Sequence, residues 1–238
     1  MNGKKKKVGN YMKNVSNKEL IEYFKTFVTE QRISKMENIL SSRTRYITVV
    51  LENIYQPHNA SAVLRSCDGF GIQDVHIIEN SNSYRVNPGV SLGTSQWLTK
   101  HNYNKKNDNT KDAIDSLKKQ GYRIVATTPH TSDKNLEDFD IPKGKIALFF
   151  GTEMHGLSET VLNNADEFMK IPMYGFVESF NISVSCALSL HSLSHKLRKS
   201  DINWSLSPDE KEEVLLEWMR NSVKNAASLE EEYFRRLR

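Results

Sequence analysis

Apolar positions along this chain follow two periods, and the change between them divides it. Near the start Leu20, Ile21, Phe24 and Val28 fall at helical spacing, which puts side chains on one face of a 3.6-residue turn. Asn17 is the expected cap. Over residues 29–43, Ile33, Met36 and Ile39 recur at threes and predict a second short helix. From Tyr46 the texture changes. YITVVLEN (46–53) is β-branched and unbroken, as in a parallel strand covered on both faces. NASAVLRSCDGFG (59–71) returns to the helical period, with Val63, Cys67 and Phe70 on one face, and stops at a glycine pair. DVHIIEN (74–80), RIVATT (123–128), KIALFFGTE (145–153) and EFMKIPM (167–173, interrupted by Pro172) predict further strands, and LTKHNY (98–103) a short one. NPGVSLGTSQWL (87–98) reads as loop. Helices are predicted over residues 111–122, stopped by Gly121, over 158–165, and from SFNISVSCALSLHSL (179–193) to about Lys199.

Strand and helix alternate, and the strands are near-continuous apolar runs. The fold class expected is α/β, a parallel sheet with helices on both faces. Ligand chemistry in such sheets sits at the carboxyl ends of the strands, where Asn59, Thr127, Gly151–Glu153 and Pro172–Asn181 all fall. The expected organisation is 1–43 as a lysine-rich tail and helices, 44–199 as the α/β core, and 200–238 as a helical extension. Ser207 is the expected cap of that extension, Pro208 its first residue, and Val214, Leu215 and Trp218 its apolar face.

The 238 residues carry 38% hydrophobic and 26% charged side chains, enough for a packed core, and a net charge of +4 leans mildly toward polyanionic partners. Cys67 and Cys186 have no metal-ligand spacing and form no disulfide framework, so a reduced cytoplasmic setting is the simple reading. No apolar run reaches membrane-spanning length, and Lys4–Lys7 are not followed by a signal-like stretch. No metal site is expected; His58 and His155 read as turn or surface residues.

Three polar constellations remain, and each has an ordinary reading. Asn59 opens a helix and reads as its cap or as a functional amide. Arg65 has Asp68 as a partner at i+3, or binds phosphate or ribose. In LFFGTEMHGLS, Gly151, Glu153 and Gly156 form a tight turn that lets backbone approach a ligand; Glu153 alone reads as a helix-start carboxylate. The glycine spacing matches neither a P-loop nor a dinucleotide fingerprint. In SFNISVSCALSLHSL, Ser179 or Asn181 caps the helix, but Ser183 and Ser185 are more polar groups than one cap requires.

In this order, each at a strand end, the three resemble the signature motifs of the SpoU class of RNA ribose 2′-O-methyltransferases in the SPOUT superfamily. Motif one is NASAVLRSCDGFG, motif two GTEMHGLS and motif three IPMYGFVESFNISVSCAL. The likeness spans roughly residues 44–198 and is nearest to the TrmH subgroup, on the helical segments RISKMENILSSRTRYITVVLEN and WSLSPDEKEEVLLEW. It implies a C-terminal trefoil knot, S-adenosylmethionine as cofactor, a homodimer, and methylation of the D-loop guanosine 18 of tRNA. It also implies that Thr127, Gly151, Ile171 and Phe180 line the cofactor pocket, and that Asn59, Arg65, Glu153, Ser179 and Asn181 match the functional polar residues. Glu153 is expected to brace the knot loops by accepting backbone N–H bonds. Lys4–Lys7, Arg32, Lys35, Arg43, Arg45, Arg235 and Arg236 are expected to grip RNA backbone. The competing readings are a ribosomal RNA methyltransferase of the same class and a non-catalytic RNA-binding protein on this fold.

Overall fold

A computed structural model describes residues 15–82, 93–106, 108–129 and 133–237. The Lys4–Lys7 tail and residues 87–92 of the loop expected over 87–98 lie outside them. The chain forms two compact units, residues 43–205 and residues 1–42 with 206–238.

In the larger unit the apolar runs become the strands β1 (Ile47–Glu52), β2 (Asp74–Ile78), β3 (Thr99–Tyr103), β4 (Arg123–Thr127), β5 (Lys134–Asn135), β6 (Ile146–Phe150) and β7 (Glu167–Lys170). They form one sheet in the order β3-β2-β1-β6-β4-β7-β5, and every pairing is parallel. Sequence reasoning missed β5, whose two residues carry no apolar signal. It also ran β7 on to Met173, whereas the strand stops at Lys170, two residues before Pro172; the residue before a proline avoids helix, and proline itself donates no ladder bond.

The connecting helices are α3 (Pro57–Gly69), α4 (Asn109–Lys119), α5 (Glu159–Asn164) and α6 (Ile182–Lys199). They cover both faces, as expected. Strand residues Ile47, Val49 and Leu51 pack with Val63, Leu64 and Cys67 of α3 and with Cys186, Leu190 and Leu193 of α6. On the other face Val50 and Phe149 pack with Ala113, Ile114 and Leu117 of α4 and Val161 of α5. Each such fully buried aliphatic or aromatic side chain stabilises the fold by about 1.5–3 kcal/mol. Cys67 and Cys186 belong to the first face, and burial, with Cys67 alongside, pushes the Cys186 thiol up. A thiol held protonated in an apolar setting is packing, not a nucleophile.

The second unit joins both chain ends. α1 (Asn17–Lys25) and α2 (Glu30–Ser41) pack on α7 (Pro208–Ser222), and α8 (Ala226–Arg236) follows. The cap of α1 is Ser16, not Asn17, because Ser16 and Glu19 form a reciprocal capping box. Ser207 and Glu210 make a second box at α7, with Pro208 in its first turn, and Val214, Leu215 and Trp218 are buried. In α2 the buried pair is Met36 and Leu40, at i and i+4, while Ile39 is 38% exposed.

Candidate active site

The three motifs meet at the carboxyl ends of β1, β6 and β7. α3 begins at Pro57, two residues before Asn59, and its cap position, Gln56, makes no side-chain cap bond. Asn59 is therefore in the first turn and not the cap. Its buried side chain instead turns across the sheet end, and its Nδ2 donates to Glu153 Oε1 at 2.7 Å. Asn181 Nδ2 donates to the same oxygen at 2.7 Å and to Asn59 Oδ1 at 3.2 Å. One carboxylate oxygen thus joins all three motifs. Glu153 accepts from two side-chain amides and not from the backbone N–H groups expected; no backbone N–H donates to it among the described residues.

Asn181 serves two purposes. Its Oδ1 caps α6, accepting from Ser183 N at 2.8 Å and Ser183 Oγ at 2.6 Å, which leaves its amide hydrogens for Glu153 and Asn59. An aspartate would cap equally well but has no N–H to donate.

The loop after β6 closes on itself. Thr152 and Gly156 exchange backbone N–H···O bonds of 3.0 and 2.9 Å. A Cβ on Gly151 would lie 2.1 Å from the Gly156 carbonyl oxygen, so only glycine permits this closure. Gly156 itself has φ of +66°.

Beside the junction lies a cavity of about 420 Å³. Thr127, Gly151, Ile171 and Phe180 all line it, with Glu153 and Ser179. Thr127 is fixed by donating Oγ1–H to the Phe149 carbonyl at 2.7 Å. Sequence reasoning missed Thr128, Pro129 and Glu178 on the cavity wall, and left the role of Ser185 open. Ser185 and Ser189 line the cavity from α6, one turn apart, and the Ser189 hydroxyl is buried with no partner among the described residues. Ser183, in contrast, is committed to Asn181.

Arg65 stands apart. It is an exposed residue of α3, outside the cavity lining, six residues and hence about 240° around the helix from Asn59. Asp68, its expected neighbour, accepts from Arg43 Nη2. This corrects the reading of Arg43, which is 1% exposed and also donates to the Ile72 carbonyl at 3.1 Å. Arg45 is likewise structural, its Nε 2.8 Å from Asp74 Oδ2.

Comparison with known proteins bears directly on this geometry. The SpoU rRNA Methylase family matches residues 46–191. A Borreliella burgdorferi protein named tRNA (guanosine(18)-2′-O)-methyltransferase is 46% identical, over 86% of this chain and 91% of its own. The crystal structure of the A. aeolicus TrmH/SpoU tRNA modifying enzyme superposes with a TM-score of 0.73 at 25% identity, covering 82% of this chain and 98% of that one. The SpoU methyltransferase AviRb of Streptomyces viridochromogenes, solved with AdoMet, shares the fold at a TM-score of 0.57 and 20% identity, over 68% and 65% of the two chains. From its three joined motifs, its sheet and these matches together, the chain belongs to the SpoU rRNA Methylase family.

Proposed function

We propose that this chain methylates the ribose 2′-oxygen of guanosine 18 in the D-loop of tRNA, with S-adenosylmethionine as donor. The observation that carries the reading is the Asn59–Glu153–Asn181 junction at the edge of the 420 Å³ cavity. The substrate comes from the name of the B. burgdorferi relative, similar over most of both chains.

The cavity residues fit the cofactor. Its volume lies within the ~300–1,000 Å³ usual for small-ligand sites. Apolar walls from Phe150, Met169, Ile171 and Ile182 suit an adenine, the carboxylates of Glu153 and Glu178 suit a cationic sulfonium, and the Ser189 hydroxyl has no partner among the described residues. Thr127, Gly151, Ile171 and Phe180 would hold the cofactor, which supplies an electrophilic methyl group. The protein must then hold the ribose oxygen in line with that carbon and remove the hydroxyl proton.

Ser179 and Asn181 orient the ribose at the cavity mouth. Arg65 binds the adjoining phosphate through its planar fork and stabilises the developing alkoxide. A guanidinium has no acceptor to offer and is not the base; the proton leaves through the phosphate or a water. Glu153 keeps the two asparagines in place.

Arg65 lies outside the cavity lining, which favours a homodimer in which a second copy completes the site. The apolar side chains of Tyr174, Phe176, Val177, Val184 and Leu188 are exposed on the same motif and its helix, as a self-interface requires. The trefoil knot belongs to the same reading, with loops 127–129, 151–156 and 171–180 gathered around one cavity. Arg32, Lys35, Arg235 and Arg236 extend the RNA contact, which weakens steeply with salt. A cytoplasmic setting goes with a tRNA substrate. No helix among the described residues is long and apolar enough to cross a membrane.

Incubation with methyl-labelled cofactor and unmodified tRNA or ribosomal RNA tests the reading. Label in tRNA supports it, label in ribosomal RNA alone replaces the substrate, and failure to bind the cofactor leaves an RNA-binding protein.

A further inference from the structure

The carboxyl end of β1 holds a charge that the proposed chemistry does not use. Glu52 is 2% exposed, and no lysine or arginine pairs with it among the described residues. Its partners are all neutral donors. Oε1 accepts from Thr110 Oγ1 at 2.6 Å and from Ser158 Oγ at 2.7 Å, and Oε2 accepts from Ser158 N at 2.9 Å. A buried carboxylate without a cation is retained at a cost that an apolar residue of similar size avoids. Its geometry therefore requires an explanation beyond packing.

The structure assigns Glu52 the part of a positioning residue: it fixes the far end of the cofactor loop, residues 151–157, through Ser158. The inference rests on the cofactor reading given above.

The loop has no slack. It leaves β6 at Gly151, folds back so that Gly156 lies against Gly151 more closely than a Cβ would allow, and reaches Ser158, the cap of α5. Any shift of Ser158 carries Gly156 with it. The sheet-face packing makes the restraint two-sided. Glu153 is held by amides from α3 and α6, on one face of the sheet. Glu52 follows Val50 on the strand and bonds to Thr110 of α4 and the start of α5, on the other. Short O–H···O⁻ bonds of this kind are about twice as strong as neutral ones.

The anchor itself is rigid. Asn53, the next residue, has φ of +54°, rare outside glycine. Its Oδ1 accepts from Asn80 N at 2.7 Å and Ser81 N at 2.9 Å, and its carbonyl accepts from Asn82 Nδ2 at 2.9 Å. The end of β1 is thereby tied to the loop after β2, and Glu52 cannot follow a drifting Ser158.

Three variants of the full chain test this: E52Q, which leaves one acceptor oxygen in place of two, S158A, which removes the hydroxyl bond and leaves the Ser158 N–H, and T110V, which removes a Glu52 donor and an Asn80 acceptor, neither of them touching the loop. Two quantities are read: S-adenosylmethionine Kd by calorimetry, and amide exchange over residues 151–157 without cofactor. E52Q and S158A should weaken binding about tenfold and speed exchange in the loop, the loss expected for one or two such bonds. T110V should lower Tm but keep Kd within about twofold and leave loop exchange unchanged. Wild-type-like Kd and exchange in both E52Q and S158A would overturn the inference, as would a T110V variant that loses affinity as E52Q does. Should E52Q not fold, S158A and T110V decide it, since Ser158 is at the surface side of the tie. A wild-type chain that binds no cofactor overturns the cofactor reading instead, and loop exchange still reports on the tie.

Discussion

Replacing Gly151 by alanine adds one methyl group where the loop closes on itself. The new Cβ would stand 2.1 Å from the Gly156 oxygen, 2.2 Å from its carbonyl carbon and 2.4 Å from Leu157 N. All three are backbone atoms, so no side chain can swing aside. Bringing the closest contact to 3.0 Å, below which real contacts essentially do not occur, needs a backbone shift of about 0.9 Å. That shift breaks or stretches the two Thr152–Gly156 bonds, now 3.0 and 2.9 Å. At about 1 kcal/mol net for each of the two bonds, with overpacking of about 1–3 kcal/mol, the cost is about 3–5 kcal/mol. For a chain of this size that lowers Tm by about 6–20 °C. A displacement near 1 Å in a positioning loop also costs about 10²-fold in function. Gly156→Ala is the control, because its Cβ meets nothing within 4 Å and only the φ of +66° is strained, at about 1–2 kcal/mol. Differential scanning calorimetry and cofactor titration of both variants read the outcome. Cofactor affinity at wild-type level in Gly151→Ala, or an equal loss in Gly156→Ala, would refute the argument from closure.

Glu153→Gln should keep the junction, because one amide oxygen can still accept from both asparagines; Glu153→Ala should lower Tm and cofactor affinity together, measured in one thermal-shift series with and without cofactor. Arg65→Ala should leave cofactor Kd unchanged while kcat/KM on tRNA falls about 10²-fold or more, and Arg65→Lys should not restore it, as a point charge cannot reproduce a bidentate fork. Acidification should destabilise the fold through His76. Burial, with His101 stacked on it at 4.4 Å, depresses its pKa to about 3. The unfolded chain takes up that proton near pH 6.5, so between about 6.5 and 3 the unfolded state binds more protons and stability falls as pH falls. Its limiting slope is about 1.4 kcal/mol per pH unit. Urea titrations across that range should show a shallower slope for His76→Gln.

The fold was legible in the sequence where one signal dominated. Unbroken runs such as YITVVLEN and KIALFFGTE became central strands β1 and β6, paired with each other in parallel. What escaped was set by tertiary contact. The two-residue β5 exists because β7 offers it an edge. The start of α3 moved to Pro57 because proline favours the first turn, and Asn59 was thereby freed for the junction. All four expected cofactor contacts face one cavity, since they follow from loops at neighbouring strand ends. The partners of Glu153 were not legible, because Asn59 and Asn181 are 94 and 28 residues away from it. Charge alone misled at Arg43 and Arg45, where the guanidinium is enclosed by Asp68 and Asp74. Burial, which charge patterning does not encode, separates such residues from those available to RNA.

The central claim is that the cavity and the Asn59–Glu153–Asn181 junction act together in methylating a tRNA ribose. It is tested most directly by mapping the methyl group after reaction of the purified chain with unmodified tRNA transcript. The account predicts one 2′-O-methylated ribose at guanosine 18, seen as a single alkali-resistant linkage and lost in Asn181→Ala. A base-methylated product, a ribose methylated elsewhere, or unchanged transfer by Asn181→Ala would contradict it.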